Sequence, residues 1–109
     1  MHLHKLENMI RGWFVGNFEP TALKTPDFEV GVKKYTAGEK EAWHVHKVGK
    51  EITVIVSGSA RMNGTVFVAG DIVTLEPGEG SDFEVIEDTV TCVVKIPSVA
   101  GDKYTREQL

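Results

Sequence analysis

The chain has 109 residues and a mass of 12.0 kDa, which fits one domain with one modest hydrophobic core. Its composition of 41% hydrophobic and 26% charged residues is ordinary for a globular protein and excludes disorder and fibrous repeats. The net charge is −4, and because no basic run could neutralise a track of phosphates, we expect no nucleic-acid partner.

Membrane attachment has no support in the sequence. The longest apolar stretches are far shorter than the ~20 residues of a membrane-spanning helix, and no signal-peptide core follows the polar first residues. We therefore expect no membrane partner and a cytoplasmic location.

Short runs rich in Val, Ile, Thr and aromatic residues recur between Gly, Pro and Asn breaks, whereas few windows have apolar residues at helical spacing. This pattern predicts an all-β fold. In chain order the predicted strands are 10–15, 28–35, 42–46, 51–56, 60–62, 66–68, 71–75, 82–86 and 90–96. Such a series of short strands is typical of a sandwich or barrel.

We expect a single domain in three parts. Residues 1–26 form an N-terminal arm with the first strand, residues 27–97 form the barrel core, and residues 98–109 form a C-terminal tail. Residues 16–26 contain two prolines and little periodicity, which predicts an arm that crosses the barrel surface. The polar residues 104–109 are expected to form a frayed helical turn or to be disordered.

Three segments have the composition of turns. Asn63-Gly64, between two apolar runs, predicts a tight hairpin because both residues tolerate a positive φ. Ser57-Gly58-Ser59 is predicted to be a second turn of this kind. Residues 77–80, Pro-Gly-Glu-Gly, cannot continue a central strand and predict a bend at the barrel rim, where functional sites are often found.

The sequence Trp43-His44-Val45-His46 separates two histidines by one residue, and in a strand this spacing places both on the same face. Glu51 follows after a tight turn, and hairpin pairing is expected to bring its carboxylate beside the two imidazoles. Two imidazoles and one carboxylate can hold one face of a divalent metal ion and leave other positions open. The alternative is that all three are solvated surface groups.

The spacing from Gly38 through His44, His46 and Glu51 to Gly58 matches the first sequence motif of the cupin family at every fixed position. The chain therefore resembles a cupin. The second cupin motif is partly present, with Gly70-Asp71 leading to Pro77-Gly78.

The third histidine of the second cupin motif falls on Ser81, so this chain departs from the family where the fourth ligand would be. Asp82, one residue further, is a hard ligand that could replace it if the strand were bulged. Alternation argues against Asp82, because Ser81, Phe83 and Val85 share one face of the predicted strand.

The cupin resemblance implies a jelly-roll barrel, also called a double-stranded β-helix, with a metal ion inside and frequent assembly as a homodimer. It implies an enzyme acting on a small molecule, with oxygenase or isomerase chemistry; the alternative is a non-catalytic module that binds a small ligand or a metal. Which residues act in catalysis is left open. Iron or manganese is favoured and zinc or nickel is possible, since imidazole and carboxylate suit them all.

Other side chains are expected to have ordinary roles. Trp13, Phe14, Tyr35 and Trp43 are predicted to pack in the core or at the barrel mouth. Lys33 and Arg61 lie on predicted strands and could reach a pocket and bind a carboxylate or a phosphate, but we expect both at the surface.

Overall fold

The structure is a computed structural model that describes all 109 residues. It contains eight strands: β1 (Trp13–Gly16), β2 (Leu23–Lys24), β3 (Glu29–Tyr35), β4 (Lys40–Val45), β5 (Lys50–Met62), β6 (Thr65–Val68), β7 (Ile72–Leu75) and β8 (Gly80–Ile96). Two 3-10 helices of one turn each, Leu6–Asn8 and Arg106–Gln108, are the only helical segments. The predicted all-β fold is confirmed, and neither helix has the length or the apolar character to cross a membrane.

Two long strands organise the sheet. Hydrogen bonding runs in the order β2-β1-β3-β8-β5-β6, with β4 added to β8 and β7 added to β5. All pairs are antiparallel except β1 with β2. Because β5 and β8 have 13 and 17 residues and each pairs with three strands, they carry the sheet around the jelly-roll barrel.

The predicted turn at residues 57–59 is wrong, because β5 continues through it. The register against β8 shifts three times between Ile55 and Ala60, so the extra residues form bulges that bend one strand. Gly58 has a φ of 89°, and a Cβ there would lie 2.3 Å from the Asp88 carbonyl oxygen. Glycine therefore allows a close approach of two strands here.

The other two turn predictions are confirmed. Asn63 and Gly64 have φ values of 48° and 81° and connect β5 to β6 as a two-residue hairpin. The predicted bend at residues 77–80 lies where residues 76–79 connect β7 to β8, with Gly80 as the first residue of β8. There the Gly78 amide donates a hydrogen bond to the His46 carbonyl, at 2.8 Å, which ties this bend to the end of β4.

The barrel interior is apolar in one region. Alternate residues of β5 and β8 point inward and form the apolar cluster, which consists of Ile55, Ala60, Met62, Phe83 and Val85. All five are buried, and Ile55 and Ala60 are completely so. Tyr35 and three further partly buried side chains pack against the cluster, which supplies the main hydrophobic stabilisation of the barrel.

The outer face of the β3-β8-β5 region is also apolar. Cross-strand neighbours such as Val30, Val94 and Ile52 lie side by side there, each partly exposed. Ile72, opposite Val54 on β7, is 66% exposed. The homodimer expected from the sequence stays a prediction.

Both ends of the chain contact the barrel. Residues 13–16 form β1 against β3, and β2 lies within the segment expected to be an irregular arm. In the tail, Tyr104 pairs with Val45 of β4, and Asp102 is buried. The C-terminal segment is thus packed beside the end of β4, where the candidate site begins.

Candidate functional site

A pocket of about 740 Å³ opens at one end of the barrel and is lined by His44, His46 and Glu51. The two imidazole rings lie edge to face, with their centroids 5.3 Å apart. Val45, between them in sequence, faces away from the pocket and pairs with Tyr104. The period-two alternation of an extended chain therefore directs both histidines to the same side.

Glu51 reaches the histidines by a different route from the predicted one. Hairpin pairing of β4 with β5 is wrong, because β4 pairs with β8, where His44 is opposite Ser81. Glu51 on β5 is instead flanked by Leu75 and Lys95. Its Oε1 nevertheless lies 3.4 Å from Nε2 of His46, so the two side chains meet inside the barrel rather than along one ladder.

The backbone fixes the tautomer of both histidines. Nδ1 of His46 donates to the Asp102 carbonyl oxygen, and Nδ1 of His44 donates to the Ala42 carbonyl oxygen at 3.2 Å. A carbonyl can only accept, so the hydrogen must be on Nδ1 in each ring. Each neutral imidazole is then left with an Nε2 lone pair, which is the form that binds metal ions.

Asp102 organises the turn that follows His46. Its carboxylate accepts hydrogen bonds from the backbone amides of Lys47, Val48 and Gly49, at 2.8, 3.2 and 2.8 Å. Burial acts to raise the pKa of Asp102, but these three amides lower it below its ordinary value. The sequence carried no signal for this role, because a single aspartate in a polar tail has no local partner.

The charges around Glu51 favour its ionised form. Burial acts to raise the pKa of Glu51, but contact with His46 and the positive charge of Lys95 bring it below its ordinary value. For His46, burial acts to lower the pKa, yet the neighbouring Glu51 carboxylate and the Asp102 carbonyl raise it overall. Burial lowers the pKa of His44. The site therefore combines one carboxylate with a neutral imidazole and one imidazole drawn toward the cationic form.

Ser81 and Asp82 point in opposite directions. Ser81 is 4% exposed, lies inside the barrel opposite His44, and its hydroxyl donates to the Asp82 carbonyl at 2.6 Å. Asp82 also borders the pocket but is exposed, and its carboxylate accepts a hydrogen bond from the Asn63 amide at 2.7 Å, so it holds the β5–β6 hairpin. Alternation along β8 accounts for both orientations.

Further polar groups line the same pocket. The Tyr35 hydroxyl donates to Oε1 of Glu41 at 2.8 Å, and burial together with the Glu41 charge raises the pKa of Tyr35. Lys95 forms a buried ion pair with Glu29 at 2.8 Å. Sequence reasoning missed Glu41, Glu29 and Lys95, although alternation along their strands could have indicated that they face inward.

The two basic residues singled out from the sequence have different positions. Arg61 is at the surface, as expected, where its guanidinium contacts Glu84 at 3.4 Å. Lys33 instead lines the pocket, half-buried, with its ammonium 5.2 Å from the centre of the Trp13 ring. Trp13 itself lies against Gly31, where a Cβ would be 2.7 Å from the indole.

The donor chemistry fits a divalent metal ion. Nε2 of His46 is buried and has no hydrogen-bond partner, and it faces a carboxylate that is also an electron-pair donor. Two facing lone pairs require a cation between them, either a proton or a metal ion. As the side chains stand, no group of three His, Cys, Asp or Glu residues is close enough to hold a metal ion.

The comparisons with known proteins concern the fold. The sequence matches no protein-family model and no curated protein. It is similar to a conserved protein with a double-stranded β-helix domain from Klebsiella pneumoniae, with 27% identity, a TM-score of 0.70 and coverage of 93% of this chain and 94% of that one.

Two further solved structures have the same architecture. A cupin-2 domain-containing protein from Shewanella frigidimarina is 14% identical with a TM-score of 0.59, over 67% of this chain and 74% of that one. The DMSP lyase DddQ from Ruegeria pomeroyi is 17% identical with a TM-score of 0.72, over 88% of this chain and 50% of that one.

Proposed function

We propose that this chain, whose double-stranded β-helix fold is shared with cupin proteins, holds one divalent metal ion on His44, His46 and Glu51 and acts on a small molecule in the barrel pocket. The observation that supports this proposal most directly is the orphaned Nε2 of His46. It is a buried lone pair directed at a carboxylate, with the ring fixed from behind by the Asp102 carbonyl.

The chain's own residues would orient the ligands and the bound molecule. The Ala42 and Asp102 carbonyls hold the imidazoles in the metal-binding tautomer. Tyr35 and Glu41 form a hydrogen-bonded pair in the pocket, and the raised pKa of Tyr35 keeps the proton on its hydroxyl, which can orient a bound molecule as a hydrogen-bonding group. A bound divalent metal would polarise a carbonyl or hydroxyl of the small molecule or bind dioxygen at its open positions.

Iron or manganese is the proposed metal, because two imidazoles and one carboxylate with open positions is the arrangement used by non-haem iron oxygenases. Zinc and nickel suit the same donors. The DMSP lyase among the similar structures is an enzyme, and this favours enzymatic use of the site. Fold likeness does not select the reaction, so both oxygenase and isomerase chemistry belong to the proposal.

A second candidate is a metal-free module that binds a small ligand. The observation in its favour is that His44 does not join His46 and Glu51 in a three-residue metal group as the side chains stand. In that case a proton on Nε2 of His46, favoured by the raised pKa of this histidine, would pair with the Glu51 carboxylate.

Metal stoichiometry separates the two candidates. We would purify the full chain without chelator or affinity metal, reconstitute it with Mn²⁺ or Fe²⁺, and measure metal per chain by elemental analysis. About one ion per chain is expected, and His44→Ala and His46→Ala should each abolish it. Ser81→Ala and Asp82→Asn should retain most of it, because the Ser81 hydroxyl donates to the Asp82 carbonyl and the Asp82 carboxylate holds a hairpin.

His2→Ala is the matched control, since His2 is an exposed terminal histidine. Absence of metal from the reconstituted protein would overturn the metal proposal in favour of the metal-free module. Loss of metal in Asp82→Asn, or retention in His44→Ala, would show that the ligand set is wrong.

A further inference from the structure

The charged lining of the pocket is unevenly paired. Six acidic residues line the pocket, and each has a partner within the chain. Four of them contact a side chain, in the pairs Glu29–Lys95, Glu41–Tyr35, Glu51–His46 and Glu19–Lys24. The other two, Asp82 and Asp102, accept hydrogen bonds from backbone amides. Of the four basic residues, only Lys95 has an acidic partner. Arg11, Lys33 and Lys103 form no ion pair.

Lys33 is the most deeply placed of the unpaired cations. It lies on the inward face of β3, between Gly31 and Tyr35, and is half-buried, whereas Arg11 and Lys103 are exposed. Holding an ammonium group in a half-buried position costs free energy unless an opposite charge or a hydrogen-bond acceptor compensates it. Desolvation accordingly lowers the pKa of Lys33, and Arg11, Lys103 and Lys95 lower it further, against the opposing charge of Glu41.

Trp13 holds the ammonium of Lys33 without neutralising it. The ring centre lies 5.2 Å from Nζ of Lys33 and 5.1 Å from Nζ of Lys95, so one indole contacts both lysines. A cation–π contact orients a charge but leaves its hydrogen-bond donors free. Lys95 uses its donors on Glu29, while the donors of Lys33 have no acceptor in the chain.

We propose that the pocket binds a small organic carboxylate whose negative charge pairs with the Lys33 ammonium, with Trp13 orienting that ammonium and Arg11 at the rim. This inference rests on the proposed function and names the substrate class of the same site. The carboxylate at Lys33 would leave the rest of the small molecule directed along the lining toward His44 and Glu51, which share this pocket.

The test uses succinate as the probe and succinamide as its uncharged match, titrated by calorimetry into the full chain in low-salt buffer. Succinate should bind and succinamide should not. Lys33→Met should weaken succinate binding by about tenfold or more, the effect of losing one charge-assisted contact. Lys33→Arg should retain most of the affinity.

Lys34→Met is the matched control, because Lys34 is the next residue of β3 and is exposed on the other face. It should leave the affinity unchanged. Equal affinity of Lys33→Met and the wild type, or no binding of succinate, overturns the proposal, as does equal binding of succinamide.

Metal content is measured in the same samples, with and without prior chelation. Lys33-dependent binding of succinate by metal-free protein supports the carboxylate site even where metal binding itself fails. A protein that binds one metal ion per chain but shows no Lys33 dependence supports the metal centre and rejects the carboxylate site. The two proposals can therefore fail separately.

Discussion

The barrel interior has two regions that differ in chemistry. The apolar cluster around Ile55 and Phe83 is buried and consists only of apolar side chains. The polar region, formed by Glu29, His46, Glu51, Thr53, Thr91 and Lys95, is nearly as well buried but contains mainly charged and hydrogen-bonding side chains. Both regions take residues from the long strands β5 and β8, and the polar region adds Glu29 of β3 and His46, which follows β4. The comparison indicates that one region stabilises the barrel, while the other keeps groups that are costly to bury and useful for binding.

The largest effect is expected from breaking the apolar region. Ile55→Ala removes a completely buried side chain and should lower the free energy of unfolding by about 3–4 kcal/mol, through lost burial and an unfilled cavity. Chemical denaturation gives the value. Metal bound per folded chain should stay the same, because the cluster contains no ligand. A loss below about 1 kcal/mol would show that the interior relaxes to fill the gap.

Asp102→Ala tests how the tail supports the polar region. Three backbone amides of residues 47–49 lose their acceptor, so we expect a loss of about 2–3 kcal/mol in the free energy of unfolding. Metal affinity should fall as well, because the variant keeps the backbone carbonyl of residue 102 that His46 contacts but loses the carboxylate bonds that fix this residue against the turn at 47–49. Asp102→Asn, which keeps one acceptor oxygen, should lose less. Unchanged His46 nitrogen shifts in the NMR spectrum of Asp102→Ala would contradict the positioning role.

Thr91→Val makes the polar region more like the apolar one. The Thr91 hydroxyl is buried and has no hydrogen-bond partner, so its replacement by a methyl group of similar shape should stabilise the fold by up to about 1 kcal/mol. Thermal denaturation is the measurement. Destabilisation instead would mean that the hydroxyl has a partner in solution. Thr53→Val, at another buried threonine of the same region, is a comparison variant.

The smallest effect is expected outside the barrel. Arg61→Gln breaks an ion pair with Glu84 in which both side chains are more than 40% exposed, so the free energy of unfolding should change by less than about 0.5 kcal/mol. Metal content and succinate binding should match the wild type. A clear loss of either would show that the outer face communicates with the pocket.

The predictions from sequence were most successful where the information is local. Asn63-Gly64 specifies its own backbone conformation, and the spacing of His44 and His46 specifies their common face through strand alternation. The same alternation separated Ser81 from Asp82. These features need only neighbouring residues, so a single sequence contains them.

Features that depend on distant partners could not be predicted in this way. The bend at Gly58 looks like a turn in sequence, and only the close approach of Asp88 and Thr89 makes it a bulge in a continuous strand. The pairing of β4 with β8 rather than β5 is a choice of long-range register. Asp102 acts on residues more than 50 positions away, and no local pattern reports that contact.

Strand β8 also has a consequence for how the molecule folds. It pairs with β3, β4 and β5, three strands that all precede it in the chain, and residues 90–96 complete ladders that begin at Glu29 and Lys50. Most native contacts therefore join residues far apart in sequence, which is the property that makes β proteins fold slowly. The barrel cannot close until residue 96 has emerged from the ribosome, so the proposed metal ligands at positions 44, 46 and 51 are made well before the structure that orients them.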